Sequence, residues 1–192
     1  MKLPAQHPPP SVPRVPETTV SLRPMCEADL PAKVSWANDP KVNESIAMLE
    51  PVTLEGTQLW FAAHQADPDI LLLTITLADQ PIGFVKLGRH RGSNEGEYHG
   101  LVIGETSLWG RGLGKQVVRQ ILCHAFTVEG WDRLFGRWPA WNKRSIHLHL
   151  ALGFVVEGTT GERRRYLDGT EHDVLLMSIG RDDWQRNTSA VP

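Results

Sequence analysis

The stretch Gly110-Arg111-Gly112-Leu113-Gly114-Lys115 has the composition of an anion-holding loop. It opens a long helical pattern shortly after a strand. Unpaired backbone N–H groups and the positive end of a helix dipole therefore fall in one place, where phosphate is the natural guest. Two familiar phosphate loops do not fit. A Walker A loop needs glycine at the position of Trp109 and Ser or Thr after Lys115, where this chain has Gln116. A dinucleotide fingerprint needs glycine at Lys115 and a preceding strand that begins a parallel βαβ sheet, whereas this strand closes a meander. A plainer reading also stands: the glycines permit a tight turn and close helix packing, and nothing more.

Other motifs narrow the choice. Val102-Ile103-Gly104-Glu105 precedes Trp109-Gly110-Arg111-Gly112-Leu113-Gly114, and Asn142-x-x-Ser145 is followed by Gly153-Phe154. The chain closes on Arg165-Tyr166-Leu167-Asp168-Gly169 and Asp173-Val174-Leu175-Leu176-Met177. In this order, over residues 18–184, they resemble the GNAT superfamily of N-acetyltransferases, whose acyl-CoA loop reads roughly Arg/Gln-x-x-Gly-x-Gly/Ala. Within it they are similar to the branch of ribosomal-protein alanine, spermidine and nucleotide-amino-sugar acetyltransferases. The resemblance implies an α/β (α+β) fold, a single GNAT-like domain whose mixed, mostly antiparallel central sheet is flanked by about four helices. It implies acetyl-CoA as co-substrate and no metal. The backbone amides of Arg111, Gly112, Leu113, Gly114 and Lys115 would bind the coenzyme A pyrophosphate, with Trp109 and Gly110 in the same loop. Val102 and Ile103 would pair with the pantetheine arm like an added strand. Asn142 would contact that arm, and Ser145 would lie near the thioester sulfur; taken alone, Asn142 is a helix cap and Ser145 a solvated hydroxyl. Trp109 departs from the usual Arg or Gln, which removes one polar contact but leaves the main-chain donors in place.

Acetyl transfer needs an unprotonated amine. A lysine-like amine of pKa about 10.4 is almost wholly protonated at neutral pH, whereas an α-amine at about 7.7–8.0 needs less help. Direct attack then gives a tetrahedral oxyanion, held by a strand N–H, and a thiolate that benefits from a proton donor. Candidate bases on the strand before the loop are Glu97, Tyr98 and His99, with Glu105 at its end. Alternation puts Glu97 and His99 on one face and Tyr98 on the other, and which face views the cleft is open at this level. Counted back from Gly104, the glutamate common in relatives falls at Tyr98, so Glu97 serves as base only if a bulge shifts the register. At the position where many relatives carry a tyrosine donor this chain has His149, and a histidine of ordinary pKa about 6.5 can give a proton at neutral pH. His149 shares a helix face with Ser145, while His147 is expected to face solvent. Glu97, Ser145 and His149 form the expected catalytic set. The resembling branch lines its acceptor cleft with the first two helices, the segment between them and the late hairpin. Trp36, Tyr98 and Tyr166 are the expected substrate-side residues here, with Asn38, Asn43, Glu44 and Glu50 nearby. Arg163-Arg164-Arg165 reads either as an anchor for an acidic acceptor or as a basic strand edge.

These residues need a scaffold. Residues 20–23 alternate as a strand, and residues 27–38 put Leu30, Val34 and Ala37 on one helical face until Asn38-Asp39-Pro40 stops it. A helix over 54–66 and strands over 70–77, 81–89 and 97–103 follow, the first two strands joined by Ala78-Asp79-Gln80 as a hairpin. After the glycine loop a helix through Glu129 carries a broad apolar stripe that includes Val117, Val118, Ile121 and Leu122. A strand over 133–138, a helix over 143–151 and strands over 154–157, 163–167 and 174–179 finish one mixed α/β domain. Asp168-Gly169 supplies the last hairpin turn. The expected organisation is a proline-rich disordered leader over 1–17, the acetyltransferase domain over 18–184 and a C-terminal tail over 185–192.

Composition excludes several functions. With 192 residues, 41% hydrophobic and 22% charged, the chain fits one globular domain. Lys and Arg number 20 against 22 Asp and Glu, which lacks the basic footprint of non-specific nucleic-acid binding. No run approaches the ~20 apolar residues of a membrane helix, and the start lacks the order of a secretory signal, so the expected location is cytoplasmic and without membrane partners. Cys26 and Cys123 lie far apart and suggest neither a disulfide framework nor a zinc site. The expected function is acetyl-CoA-dependent N-acetylation of a primary amine by a monomer or homodimer, with a protein N-terminal α-amine first. The alternatives are a polyamine, amino sugar or antibiotic as acceptor, a non-catalytic acyl-CoA-binding sensor, or an interaction module working through the leader.

Overall fold

The computed structural model describes residues 19–189, and the leader read over 1–17 lies outside them. The run Ile-Leu-Leu-Leu-Thr-Ile-Thr-Leu, without polar alternation, belongs inside a sheet covered on both faces. It forms β2 (Ile70–Leu77), between β1 (Val20–Pro24) and β3 (Gln80–His90), and β3 pairs in turn with β4 (Glu95–Ile103), all antiparallel. Beyond β4 come β5 (Arg133–Pro139) in parallel, then β7 (Glu171–Gly180), with β6 (Val155–Arg165) at the edge. Helices α1 (Leu30–Asn38), α2 (Pro40–Ile46) and α3 (Leu54–Gln65) precede β2. Helix α4 (Leu113–Cys123) follows β4, α5 (Lys143–Leu150) follows β5, and α6 (Arg181–Ser189) closes the described chain. The mixed, mostly antiparallel sheet is as expected, with six α-helices among the described residues where about four were expected.

The additional elements have local causes. Asp39 ends α1 but also caps α2, accepting from the amides of Lys41 and Val42, with Pro40 in the first helical turn. The strands expected over 154–157 and 163–167 are one strand, β6, whose irregular register after Val156 and Thr159 interrupts the sequence pattern. The helix expected through Glu129 leaves α-geometry at Cys123 and widens into a π-turn over His124–Val128. Helix α6 reaches Ser189, so the tail expected over 185–192 begins inside a helix.

The two sheet faces are covered differently. The apolar stripe of α4 packs with Val85, Leu87, Tyr98, Leu134 and Met177 on one face. On the other, Leu30 and Phe61 bring α1 and α3 onto Met25 and Leu72. Asp29, at the start of α1, is 3% exposed. Burial alone would raise its pKa, but Arg23, the Cys26 amide and the Thr74 hydroxyl donate to the carboxyl and hold it well below the usual carboxylate range.

Two departures from regularity shape the centre of the sheet. The parallel pairing of β4 with β5 covers Glu95 to Tyr98 against Arg133 to Gly136, after which the strands part. Across the β3–β4 ladder Leu87 faces Tyr98 and Lys86 faces Gly100, so His99 is the extra residue of a bulge. The bulge lets Tyr98 and Leu101, three apart, both reach the α4 side.

Candidate active site

The glycine loop holds the open end of the parted strands. Gly110 has φ 82° and Gly112 φ 78°, and Gly112 is the first cap of α4, so the chain turns there through a conformation that side chains resist. The amides of Gly110, Arg111, Gly112, Leu113 and Gly114 have no hydrogen-bond acceptor among the described residues. They stand at the positive end of α4, an arrangement suited to a diphosphate. Beside them runs a cleft of about 440 Å³. Leu101, Val102 and Ile103 form one wall, and Asn142, Ser145, His147 and Leu148 of α5 form another. Val42, Ser45 and Ile46 of α2 close the third side, and Lys115 and Arg144 add positive charge.

Trp109 stands where the resemblance leads one to expect Arg or Gln, and its surroundings show what it does there. Its indole N–H donates to the Ile103 carbonyl at 2.9 Å, tying the loop to the end of β4. The Arg144 guanidinium lies 4.5 Å from the centre of its ring, so the cation reaches this corner from α5 instead of from the loop.

Asn142 has two bonds. Its Oδ1 accepts from the Ser145 amide at 3.1 Å as the cap of α5, and its Nδ2 donates to the Ser45 carbonyl at 3.2 Å, linking α5 to α2 across the cleft. The Ser145 Oγ accepts from Trp138 Nε1 at 3.1 Å, which directs the hydroxyl at the cleft wall.

Three expected site residues are placed differently from expectation. His149 does share a face with Ser145, but that face is the core: the ring is 0% exposed, packed among Tyr98, Trp138 and Phe154, and outside the cleft lining. Its Nδ1 lies 2.7 Å from the Ser145 carbonyl and donates to it, which leaves Nε2 bare and without a partner among the described residues. Burial pushes its pKa down to about 4, so the ring is neutral at pH 7 and is not the donor the ordinary value implied. His147 is exposed, as expected, and is also the α5 histidine that lines the cleft. Tyr98, expected on the substrate side, is 4% exposed and stacks on Trp138, and burial raises its phenol pKa far above the ordinary value. Trp36, also expected there, is 5% exposed and donates to Glu105 Oε1 at 2.9 Å, fixing the exit of β4. Glu97 lies on the strand face opposite Tyr98, and Arg137 engages its carboxylate.

Tyr166 keeps a place near the cleft. It joins Trp141 and His172 around a hollow of about 660 Å³ that shares Ser45, Trp109, Asn142 and Arg144 with the main cleft. The segment that forms α2 was expected beside the cleft, with Asn43 and Glu44, but not as a helix, although Asp39-Pro40 is its signal, a cap followed by proline in the first turn.

The buried His149 makes stability depend on pH. Its folded pKa of about 4 lies below the ordinary 6.5, so between these values the unfolded chain binds a proton that the folded chain refuses. Stability is full above pH 6.5 and falls as pH drops toward 4, by about 3 kcal/mol in total. Urea unfolding at several pH values is expected to show this slope, and His149→Phe to flatten it.

An uncharacterized protein of Methanocaldococcus jannaschii is 26% identical to the chain over 140 residues, 72% of this chain. The chain spans 28% of the length of that relative. Among solved structures, spermidine N-acetyltransferase from Vibrio cholerae, in complex with CoA and spermine, superposes with a TM-score of 0.77 at 20% identity, over 88% of this chain and 99% of that one. A protein from T. thermophilus superposes with a TM-score of 0.71 at 24% identity, over 91% and 94%. These likenesses are of fold. The family model of the acetyltransferase (GNAT) domain matches residues 19–155, a span that contains every residue lining the main cleft. With a match over that much of its length, the chain belongs to the GNAT family of acetyltransferases.

Proposed function

We propose that acetyl-CoA occupies the main cleft and that the acceptor is the primary amine of a small molecule. The observation that carries the first part is the row of partnerless amides from Gly110 to Gly114 at the start of α4, beside strands that part after Tyr98. Those amides hold the pyrophosphate, Val102 and Ile103 flank the pantetheine arm, and Asn142 meets it from α5. A small acceptor is favoured over a peptide N-terminus by the likeness in fold to an enzyme crystallised with spermine. A cytoplasmic setting, which supplies acetyl-CoA, is part of the proposal.

The thioester supplies an activated acyl group with a thiolate leaving group. The chain supplies proton control on two sides of the sheet. Ser145 already accepts from Trp138, which leaves its O–H free to donate a hydrogen bond to the leaving thiolate without losing its proton. On the other face His99 takes the amine proton. Burial lowers its pKa, with Lys86, Arg137 and His64 adding to the shift and Glu97 opposing it, so His99 is neutral and able to accept. Glu97, expected as the base itself, lies 3.8 Å from His99 Nδ1 and stabilises the imidazolium that forms.

Thiol release from acetyl-CoA with a panel of primary amines tests this reading. Ser145→Ala is expected to lower kcat about tenfold with acetyl-CoA affinity unchanged. The absence of thiol release with every primary amine would contradict the proposal.

A further inference from the structure

The sheet face that carries His99 also carries two half-buried lysines that no carboxylate answers. The Lys33 ammonium lies 4.2 Å from the centre of the Trp60 ring and 5.1 Å from that of Phe84. Lys86 is two residues along β3 from Phe84, hence on the same face, and donates to His64 Nε2 at 2.8 Å. The other His64 nitrogen donates to the Trp60 carbonyl at 2.7 Å, which leaves Nε2 as the acceptor. Among the described residues, neither lysine has an ion pair with Asp or Glu within 4.0 Å. The acids closest in charge to Lys86 are engaged elsewhere, Glu97 by Arg137 and Asp67 by Arg91.

Lys86 lies on β3, the strand beside the parted β4, and Lys33 is tied to the same strand through Phe84. Lys86 faces Gly100 across the ladder, next to the bulge at His99, and Phe84 faces Val102, a residue of the cleft wall. A partly desolvated ammonium without a counter-charge is costly, and a ligand anion relieves that cost. Burial pushes both lysines below their ordinary value, Lys86 against the pull of Glu97 and Asp67.

From this placement we infer that the acceptor is an anionic amine, bearing a carboxylate or phosphate that Lys33 and Lys86 hold while its amino group meets His99. The inference rests on the acetyl-transfer reading and narrows its acceptor. A polyamine such as spermine would bring positive charge against both lysines.

Amines matched in skeleton but differing in charge test it, assayed by thiol release at saturating acetyl-CoA. Cadaverine is set against L-lysine for a carboxylate, ethanolamine against O-phosphoethanolamine for a phosphate, and spermidine is run beside them. The expected result is a kcat/KM at least about tenfold higher for the member that bears the carboxylate or phosphate in one or both pairs. Lys33→Met and Lys86→Met, which keep the apolar stems, are expected to raise KM for that member about tenfold. Lys86→Arg is expected to retain the preference, and acetyl-CoA affinity by calorimetry to stay unchanged in all three. The inference is overturned by a preference for the members without a carboxylate or phosphate, by turnover of no amine bearing one in a chain that binds acetyl-CoA, or by an unchanged KM in both methionine variants. Failure of the parent chain to bind acetyl-CoA would instead overturn the acetyl-transfer reading.

Discussion

Gly112→Asp is expected to lower acetyl-CoA affinity by on the order of 100-fold or more, measured by calorimetry on folded protein. The carboxylate would stand at the first turn of α4, where the amides from Gly110 to Gly114 await an anion. At about 5 Å and an effective dielectric of about 20, repulsion from one phosphate charge is roughly 3 kcal/mol. The positive φ of 78° adds a second cost of about 1 kcal/mol, but that strain exists with and without ligand and so lowers stability more than affinity. Gly112→Ala separates the two effects: it carries the strain without the charge, and is expected to unfold more easily while binding acetyl-CoA nearly as well. Equal affinity in the parent and Gly112→Asp chains would remove the diphosphate from this loop.

Gly104→Ala is expected to lower stability sharply. A Cβ there would come 2.0 Å from Trp36 Cγ, and the indole it strikes is held by Glu105 and closed in on all sides. Overpacking at a rigid neighbour costs about 3 kcal/mol, a large part of a domain's stability of about 5–15 kcal/mol. For a chain of this size that is a fall in Tm of roughly 6–12 °C. Because one collision is responsible, adding Trp36→Leu to Gly104→Ala is expected to cost less than the sum of the two single changes. Strict additivity in thermal melts would show that the two residues do not press on one another.

The parts of this molecule dictated by backbone chemistry were legible in its sequence. Glycines at 110, 112 and 114 before an apolar-periodic run mark a tight loop at a helix start, and β2 announces itself by eight uncharged residues, apolar but for two threonines. Side-chain direction was less legible. Ser145 and His149 share a helix face on spacing alone, but only the packing of α5 on Trp138 and Phe154 decides that this face points into the core at His149. Tyr98 is likewise committed to the α4 side by a bulge at His99, which Gly100 beside it marks but does not place. The same bulge leaves His99 beside Glu97 on the other face, so that the proton acceptor proposed here is the neighbour of the one expected. Trp36 looked like a cleft wall until Gly104, an apparently idle glycine, proved to be the space its ring fills.

Calorimetric titration of acetyl-CoA into the unaltered chain tests the central claim most directly. The cleft beside α4 predicts saturable uptake of one molecule per chain, abolished or strongly weakened by Gly112→Asp. Titration without saturable heat in the unaltered chain would contradict the assignment of the loop, the cleft and the reaction built on them.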